Sequence, residues 1–242
     1  MITVTIFTYK RIRRLTQCLQ SIHSQFVNEI LLFNDDETQE LDLSQFNLSD
    51  KLKGLIIIYN PGDFGFNDRI FRKPIYLNKA ILLAKNDTIL FSDDDGIFTA
   101  GAVDAHVNAL KDYLFCAGSI IRNRLMNRKS KSILQGTNYS FQKQFFNDVG
   151  GYDEAYTKSI GGGDVDFWYR IYQHVQRHGL PVAFLSNACQ NVTVGSERKK
   201  NNREMDPREY TLTKHNLAQS GPMYKWFPEI RDKSKWMTVI NG

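Results

Sequence analysis

Cysteine is scarce in this chain of 242 residues, and long apolar runs are absent. Cys18, Cys116 and Cys189 lie far apart, so they show neither a disulfide framework nor zinc-ligand spacing, and they indicate a reducing compartment. No apolar run approaches the ~20 residues that a membrane-spanning helix needs, and no signal-peptide pattern precedes the first strand. We therefore expect a cytoplasmic protein that contacts a membrane at most peripherally, at its inner face.

Internal repeats and low-complexity tracts are absent as well, and the length suits one domain with or without a C-terminal appendage. A hydrophobic content of 42% is ample for a sizeable core. The net charge of +5 favours an anionic partner, which leaves a nucleotide, an anionic glycan and a lipid head group open. The basic run 198–208 lacks the interleaved aromatic residues of a nucleic-acid stacking platform, so nucleic acid is not expected as a partner.

Strand and helix patterns alternate along the chain. Apolar and β-branched runs predict strands, and apolar residues spaced three or four apart predict helices. The predicted strands are 2–8, 29–33, 55–59, 88–92, 113–121, 136–141, 181–185 and 190–194, and the predicted helices are 11–24, 73–85 and 164–177. After 195 a basic loop and a tail without clear periodicity are expected. Strand–helix–strand units with short connections indicate an α/β fold with a mostly parallel sheet.

Three consecutive carboxylates, Asp93, Asp94 and Asp95, follow one of the apolar strands. They repel one another and resist burial, and a hard cation such as Mg²⁺ or Mn²⁺ relieves this repulsion because it prefers carboxylate oxygen. The sequence Asp-Asp-Asp-Gly is also good turn chemistry. A metal site and a tight turn are therefore both open interpretations of this segment alone.

Two further predicted strands end in polar residues. Thr8-Tyr9-Lys10-Arg11 follows the first strand, and Asn34-Asp35-Asp36 follows the second. In parallel sheets, ligands bind outside the carboxyl ends of the strands. Three polar strand ends on one edge of the sheet indicate a binding site better than a single acidic turn does.

Five short motifs in a fixed order resemble those of the GT-A glycosyltransferases, in particular the family-2-like group that uses nucleotide-diphosphate sugars. They are Thr8-Tyr9-Lys10-Arg11, Asn34-Asp35-Asp36-Glu37, Asp93-Asp94-Asp95, Gly150-Gly151-Tyr152-Asp153-Glu154 and Gly162-Gly163-Asp164-Val165-Asp166. The resemblance covers residues 2–195. It implies a single GT-A (Rossmann-like) domain at 1–195, with a nucleotide-binding half at about 1–98 and an acceptor-binding half at 99–195, followed by the basic loop and C-terminal tail at 196–242.

The resemblance also implies a donor site that holds Mn²⁺ or Mg²⁺. Asp95 would coordinate the metal directly, and Asp93 would contact the ribose or a metal-bound water. Asp35 would accept a hydrogen bond from a base N–H, as expected for uracil. Arg11 can add positive charge near the phosphates or be a solvated residue of the first helical turn, and Lys79 is similarly open. The expected nucleotide-binding residues are Thr8, Tyr9, Arg11, Asp35, Asn78, Lys79, Asp93 and Asp94.

Asp164 is the general base that the resemblance implies. A carboxylate within reach of the acceptor hydroxyl can take its proton as the anomeric carbon is attacked, and a base on the face opposite the leaving group implies inversion. A position near a helix start also allows Asp164 to be an N-terminal cap. The expected acceptor-binding residues are Gly162, Gly163, Asp166 and Trp168.

The chain departs from the family pattern at three places. Asn34 replaces the first Asp of its motif, and Gly163 replaces the Glu that precedes the candidate base. Relatives often carry a metal-binding His after the last core strand, and the stretch 189–194 has none. His215 is the tail residue that could approach the metal site.

The function predicted from these residues is that of an inverting, metal-dependent glycosyltransferase. It would move a sugar from a nucleotide-diphosphate donor, with UDP favoured, to a glycan or glycolipid acceptor in the synthesis of a surface polysaccharide or glycoconjugate. A sugar-nucleotide nucleotidyltransferase is one alternative. It would need a Gly-rich, basic loop after the first strand, and the absence of Gly from residues 8–11 argues against it. A catalytically inactive nucleotide-sugar-binding module is the other alternative, favoured by Gly163 and opposed by the intact Asp93, Asp95 and Asp164.

Overall fold

A mixed β-sheet lies at the centre of the protein, whose computed structural model describes residues 1–66, 71–122, 136–159, 162–186, 190–191, 205–216 and 236–241. Within these residues the strands are β1 Ile2–Thr8, β2 Val27–Asn34, β3 Ile56–Tyr59, β4 Thr88–Asp93, β5 Gly96–Ile97, β6 Phe115–Gly118, β7 Ile121–Arg122, β8 Tyr139–Gln142, β9 Val182–Ser186, β10 Gln190–Asn191 and β11 Thr238–Asn241. The helices described are α1 Ile12–Gln20, α2 Asp50–Lys53, α3 Lys73–Leu83, α4 Ala102–Ala109, α5 Lys143–Val149, α6 Gly163–His178 and α7 Pro207–Lys214.

The large sheet has the strand order β11-β9-β6-β8-β4-β1-β2-β3 in the described residues. Strand β8 runs antiparallel to both of its neighbours, and the other pairs are parallel. A small sheet with the order β5-β10-β7 lies apart from it. The prediction of an α/β fold with a mostly parallel sheet is confirmed.

Successive residues of the central strands point to opposite faces of the sheet and enter two separate cores. In β4, Ile89 and Phe91 lie in the core that α3 and α6 cover, whereas Leu90 lies in the core that α1 and α4 cover. This alternation is the two-residue period of a strand. Because both faces are covered, β2 and β4 contain continuous apolar runs, Ile30–Phe33 and Ile89–Phe91.

Several elements differ from the predictions. Helix α1 ends at Gln20 rather than 24, and helices α4 and α5 occupy stretches where no helix was predicted. The tail, for which no regular structure was expected, contributes α7 and the edge strand β11, which pairs with β9. These tail elements are short and weakly patterned, so tertiary pairing stabilises them more than their own periodicity does. The stretch 192–204, which includes much of the basic run, lies outside the described residues.

No helix in the described part of the chain is both long enough and apolar enough to cross a bilayer.

Candidate active site

The carboxyl ends of β1, β2 and β4 lie side by side. In the strand register, Phe7 is opposite Asp93 and Thr8 is opposite Asn34. The three polar strand ends predicted to meet on one edge of the sheet therefore do meet. The parallel register is what brings residues some 26 and 86 positions from Thr8 into one site.

Asp94 is fully buried at the bottom of this site and contacts two of its other residues. The Thr8 hydroxyl donates a hydrogen bond of 2.6 Å to its carboxylate, and Arg11 Nε lies 3.2 Å from the same oxygen. Burial raises the pKa of Asp94 to about 7, although Arg11 and Thr8 favour the ionised form. Asp94 is thus enclosed by the protein and holds Thr8 and Arg11 in place. Its expected contact with a nucleotide stays a prediction.

Asp93 and Asp95 are the more accessible members of the triplet, with side chains 28% and 14% exposed. The ammonium group of Lys73 forms a close ion pair with Asp93, and Arg11 Nη1 lies 3.5 Å from Asp95. Burial and the charge of Asp93 raise the pKa of Asp95, although Arg11 and Lys73 act in the opposite direction. Arg11, Lys73 and Arg14 together thus do not offset the effect of burial and of Asp93 on Asp95.

These carboxylates suit a divalent cation. The Oδ1 atom of Asp94 is buried and has no hydrogen-bond partner in the described residues, in keeping with the raised pKa of this carboxyl group. Within the described residues, no group of three or more His, Cys, Asp or Glu side chains could hold a metal by itself. Mg²⁺ is commonly held by one or two carboxylates together with substrate phosphates, so two aspartates are enough for an ion that arrives with a diphosphate.

Asp35 and Arg72 form a buried ion pair at the neighbouring strand end. Arg72 Nη1 donates to Asp35 Oδ1 over 3.0 Å, and both side chains are almost fully enclosed. The guanidinium also lies 5.2 Å from the centre of the Phe66 ring. Arg72 therefore positions Asp35, the carboxylate that is predicted to bind the nucleotide base. Lys10 lies on the same edge of the sheet, with its Nζ 5.3 Å from the centre of the Tyr9 ring.

Asn78 and Lys79 make other contacts than those expected of nucleotide-binding residues. The Asn78 amide donates to the carbonyl of Tyr152 and accepts from its N–H, and it also donates to Glu154. Asn78 thus ties α3 to the Gly-Gly-Tyr-Asp-Glu motif. Lys79 Nζ lies 4.7 Å from the centre of the Phe64 ring. The expected contact of Asn78 with the nucleotide stays a prediction, and in this structure its amide bonds the protein.

Asp164 lines a cavity of about 160 Å³ at the start of α6. The cavity is bounded by Phe71, Lys73, Pro74, Asp93, Gly136, Tyr152, Tyr156, Gly163 and Asp164. Gly162, whose φ is +92°, is the N-cap residue of α6, so Asp164 lies in the first turn and accepts a 3.0 Å hydrogen bond from the Val165 N–H. Burial raises the pKa of Asp164, while the charge of Lys73 opposes this shift. The candidate base and Asp93 of the triplet therefore face one shared cavity.

The packing of Tyr156 against Gly163 accounts for one departure from the family pattern, the Gly that replaces a Glu before the candidate base. A Cβ atom at this position would lie 3.3 Å from Cβ of Tyr156 and 3.4 Å from the ring. The space that a Glu side chain would need beside the candidate base is thus occupied by Tyr156.

Asp166 and Trp168, both expected to bind the acceptor, are buried within the protein. Asp166 is fully buried, and Arg170, Lys214 and His215 each contact its carboxylate at 2.8 Å. Burial opposes ionisation, but the hydrogen bond from His215 and the charges of Arg170 and Lys214 lower the pKa of Asp166 to about 2. Trp168 is 1% exposed and packs edge-on against Phe115. The expected acceptor contacts of Asp166 and Trp168 stay predictions, and the protein encloses both side chains. His215 joins Asp166 rather than the Asp93–Asp95 triplet.

Lys73 is the main site residue that the sequence reasoning missed. One signal could have found it: a cation in the first turn of a helix is disfavoured by the helix dipole, so a lysine at the start of α3 needs another partner. The aromatic walls Phe71 and Tyr156 carried no comparable signal, because aromatic residues usually belong to the core.

The mostly parallel sheet with the carboxylate triplet at its edge is consistent with the GT-A fold, which the comparisons with known proteins support. Residues 3–161 match the family described as Glycosyl transferase family 2, and the chain belongs to this family. A search of curated protein sequences returns no match.

Among solved structures, the chain is similar to S. aureus TarS. The TarS 1–349 complex with UDP aligns with a TM-score of 0.58 and 12% identity, covering 79% of this chain and 60% of that one. The complex with UDP-GlcNAc aligns with a TM-score of 0.56 and 14% identity, covering 81% and 59%. With identities this low, the alignments show a common fold and nothing beyond it. The chain spans less than two thirds of the TarS fragment and 36% of a longer TarS chain.

Proposed function

We propose that this protein is an inverting, metal-dependent glycosyltransferase with a nucleotide-diphosphate sugar as donor. The observation that carries the proposal is that Asp164 and Asp93 line the same cavity. A direct displacement needs the acceptor's base on one side of the sugar and the leaving diphosphate on the other, and this cavity lies between the two candidate groups. UDP is the favoured nucleotide, and TarS, a structural neighbour, has been crystallised with UDP and UDP-GlcNAc.

Asp95 and Asp93 would hold Mn²⁺ or Mg²⁺. When bound, such an ion neutralises charge on the leaving nucleoside diphosphate. Arg11, positioned by Asp94, adds a fixed positive charge beside the triplet. Thr8, Tyr9 and the Asp35–Arg72 pair form the edge of the sheet where the base and ribose would bind.

Asp164 would take the proton of the acceptor hydroxyl as the anomeric carbon is attacked. The N-terminus of α6 stabilises the carboxylate form that a base requires, and burial makes the same carboxylate more basic. The acceptor proposed is a hydroxyl of a glycan or glycolipid, in the synthesis of a surface polysaccharide or related glycoconjugate.

The experiment that tests the donor site is calorimetric titration with UDP and Mn²⁺. Wild type should bind UDP in the micromolar range only with metal, and Asp95→Ala should abolish this binding. Failure of UDP, GDP, CDP and dTDP alike to bind in the presence of metal would overturn the donor-site assignment.

Catalysis is tested separately by the release of UDP from UDP-sugars. Asp164→Asn should keep UDP binding and lose turnover, whereas Asp148→Asn, an equivalent change on an exposed aspartate that bonds Gln144, should change neither. A wild type that binds UDP-sugars but never releases UDP, even with glycan acceptors, would instead favour the inactive binding module, the alternative that Gly163 supports.

A further inference from the structure

Lys73 occupies the wall of the cavity between Asp93 and Asp164. Its ammonium donates to the Asp93 carboxylate and, over 2.8 Å, to the carbonyl of Gly136. An ammonium has three N–H bonds, and in the described residues these are its two acceptors. The side chain is 16% exposed and lines the cavity, so the remaining N–H bond is available to a molecule bound there.

The size of the cavity limits what can bind. Its volume of about 160 Å³ is well below the ~300–1,000 Å³ of pockets that enclose a drug-sized ligand. A whole nucleotide sugar does not fit, but one sugar ring is a suitable occupant. Phe71, Pro74 and Tyr156 offer apolar surface to the C–H groups of a ring, while Lys73 and the two aspartates offer polar contacts.

The position of the cavity points to the transferred sugar rather than to the nucleotide. Three of the nucleotide's candidate contacts, Thr8, Arg11 and Asp35, do not line it, whereas Asp93, beside the leaving diphosphate, does. In an in-line displacement the sugar lies between the leaving group and the base, which here means between Asp93 and Asp164.

We propose that Lys73 is a specificity-determining residue that donates a hydrogen bond from Nζ to an oxygen of the transferred sugar. The inference rests on the proposed function and adds to it a residue that recognises the donor sugar. Since an ammonium only donates, Lys73 selects sugars that present a hydroxyl, carbonyl or carboxylate oxygen at this wall. Asp93 and the Gly136 carbonyl hold Nζ in position before the donor arrives.

The test compares UDP with a panel of UDP-glucose, UDP-galactose, UDP-GlcNAc and UDP-glucuronate by calorimetry in the presence of Mn²⁺. The measured quantity is the ratio of each UDP-sugar's affinity to that of UDP. Lys73→Met should lower this ratio about tenfold or more for the preferred sugar, since a hydrogen bond to a charged donor contributes that much. The affinity for UDP alone is measured in the same titrations and enters the ratio, because loss of the ammonium also changes the charge beside Asp93. Lys111→Met, the same change on an exposed lysine at the end of α4, should change neither value.

A second variant changes Gly136, which lines the same cavity as Lys73. A Cβ atom added at Gly136 would lie 3.3 Å from Lys73 Nζ and 3.4 Å from Cβ of Asp164. Gly136→Ala should therefore reduce the same ratio by narrowing the space for the sugar, with Lys73 still present.

The possible results separate the inference from the proposed function. If wild type binds neither UDP nor any UDP-sugar, the proposed function fails, and the inference fails with it. If wild type binds UDP but Lys73→Met leaves the ratio unchanged for every sugar, or weakens UDP and UDP-sugars equally, the inference alone is overturned. In that case Lys73 is a structural partner of Asp93 or a phosphate contact.

Discussion

Acidification should destabilise this protein through His106, a fully buried residue of α4. Its Nδ1 lies 2.8 Å from the Ser140 hydroxyl and its Nε2 lies 3.1 Å from Asn138 Oδ1. An amide oxygen only accepts, so Nε2 carries the proton and Nδ1 accepts from Ser140. The imidazole is thus satisfied in its neutral form, and burial lowers the pKa of His106 to about 4 from a usual 6.5.

The size of the effect follows from linkage. Between pH 6.5 and about 4 the unfolded chain binds a proton at His106 that the folded chain does not, so the free energy of unfolding falls as the pH falls. That range corresponds to about 3 kcal/mol, because each pH unit is worth ~1.36 kcal/mol. Asp94 acts in the opposite direction: its raised pKa, about 7 in the folded protein against 3.8, makes the folded state gain stability as the pH falls from 7 towards 4.

The two contributions are separated with His106→Gln, whose amide can bond the same partners without titrating. Urea unfolding is followed by tryptophan fluorescence at pH 7.0, 5.5 and 4.5. Between pH 7.0 and 4.5, the free energy of unfolding of the wild type should fall by about 2 kcal/mol more than that of the variant. Identical pH dependence in the two proteins would refute the assignment of a buried neutral imidazole.

Three other changes have definite expected outcomes. Arg72→Met should lower the free energy of unfolding by about 3–5 kcal/mol, because it removes the counter-charge of the buried Asp35, and a second change, Asp35→Asn, should restore part of the loss in urea melts. Gly118→Ala should cost about 1–3 kcal/mol in the same assay, since its Cβ would lie 2.2 Å from Asn138 Nδ2. Asp164→Asn should lower kcat by ~10²–10⁴-fold in donor assays without changing UDP affinity.

Matched controls make each of these outcomes informative. Gly62→Ala, where the nearest atom to the new Cβ is 3.8 Å away, should be close to neutral beside Gly118→Ala. An Arg72→Met protein as stable as wild type would mean that the ion pair contributes no net stability. A change in UDP affinity in Asp164→Asn would place that carboxylate in the donor site rather than opposite it.

The predictable part of the fold came from strong local patterns. Strand β1 alternates apolar and β-branched polar residues, and β2 and β4 contain the apolar runs Ile30–Phe33 and Ile89–Phe91. Helices α3 and α6 follow clear starts at Pro74 and the Gly162–Asp164 segment. Helix α4 was not recognised, because it starts at Gly101 without a side-chain cap. Strand β11 was missed because four residues carry too little pattern, and its pairing with β9 is a long-range event.

The candidate site was predicted where it depends on strand ends and missed where it depends on packing. Asp93, Asp95, Asp164 and Thr8 follow from motif and strand order. Whether a polar side chain faces a ligand or the protein depends on its neighbours in three dimensions. Asn78 bonds the Tyr152 backbone, and Asp166 bonds the tail, and no local pattern distinguishes these roles from binding roles.

The sequence by itself determined the class of fold and the edge of the sheet that carries the candidate site, because periodicity and strand-end polarity are local properties of the chain. Only the tertiary structure decided which of the acidic residues are enclosed and which remain accessible. It brought Lys73 between Asp93 and Asp164, and it placed His215 on Asp166 instead of near the triplet. The physical reason is that burial and charge pairing depend on contacts between residues far apart in sequence, which are formed only when the sheet and helices pack.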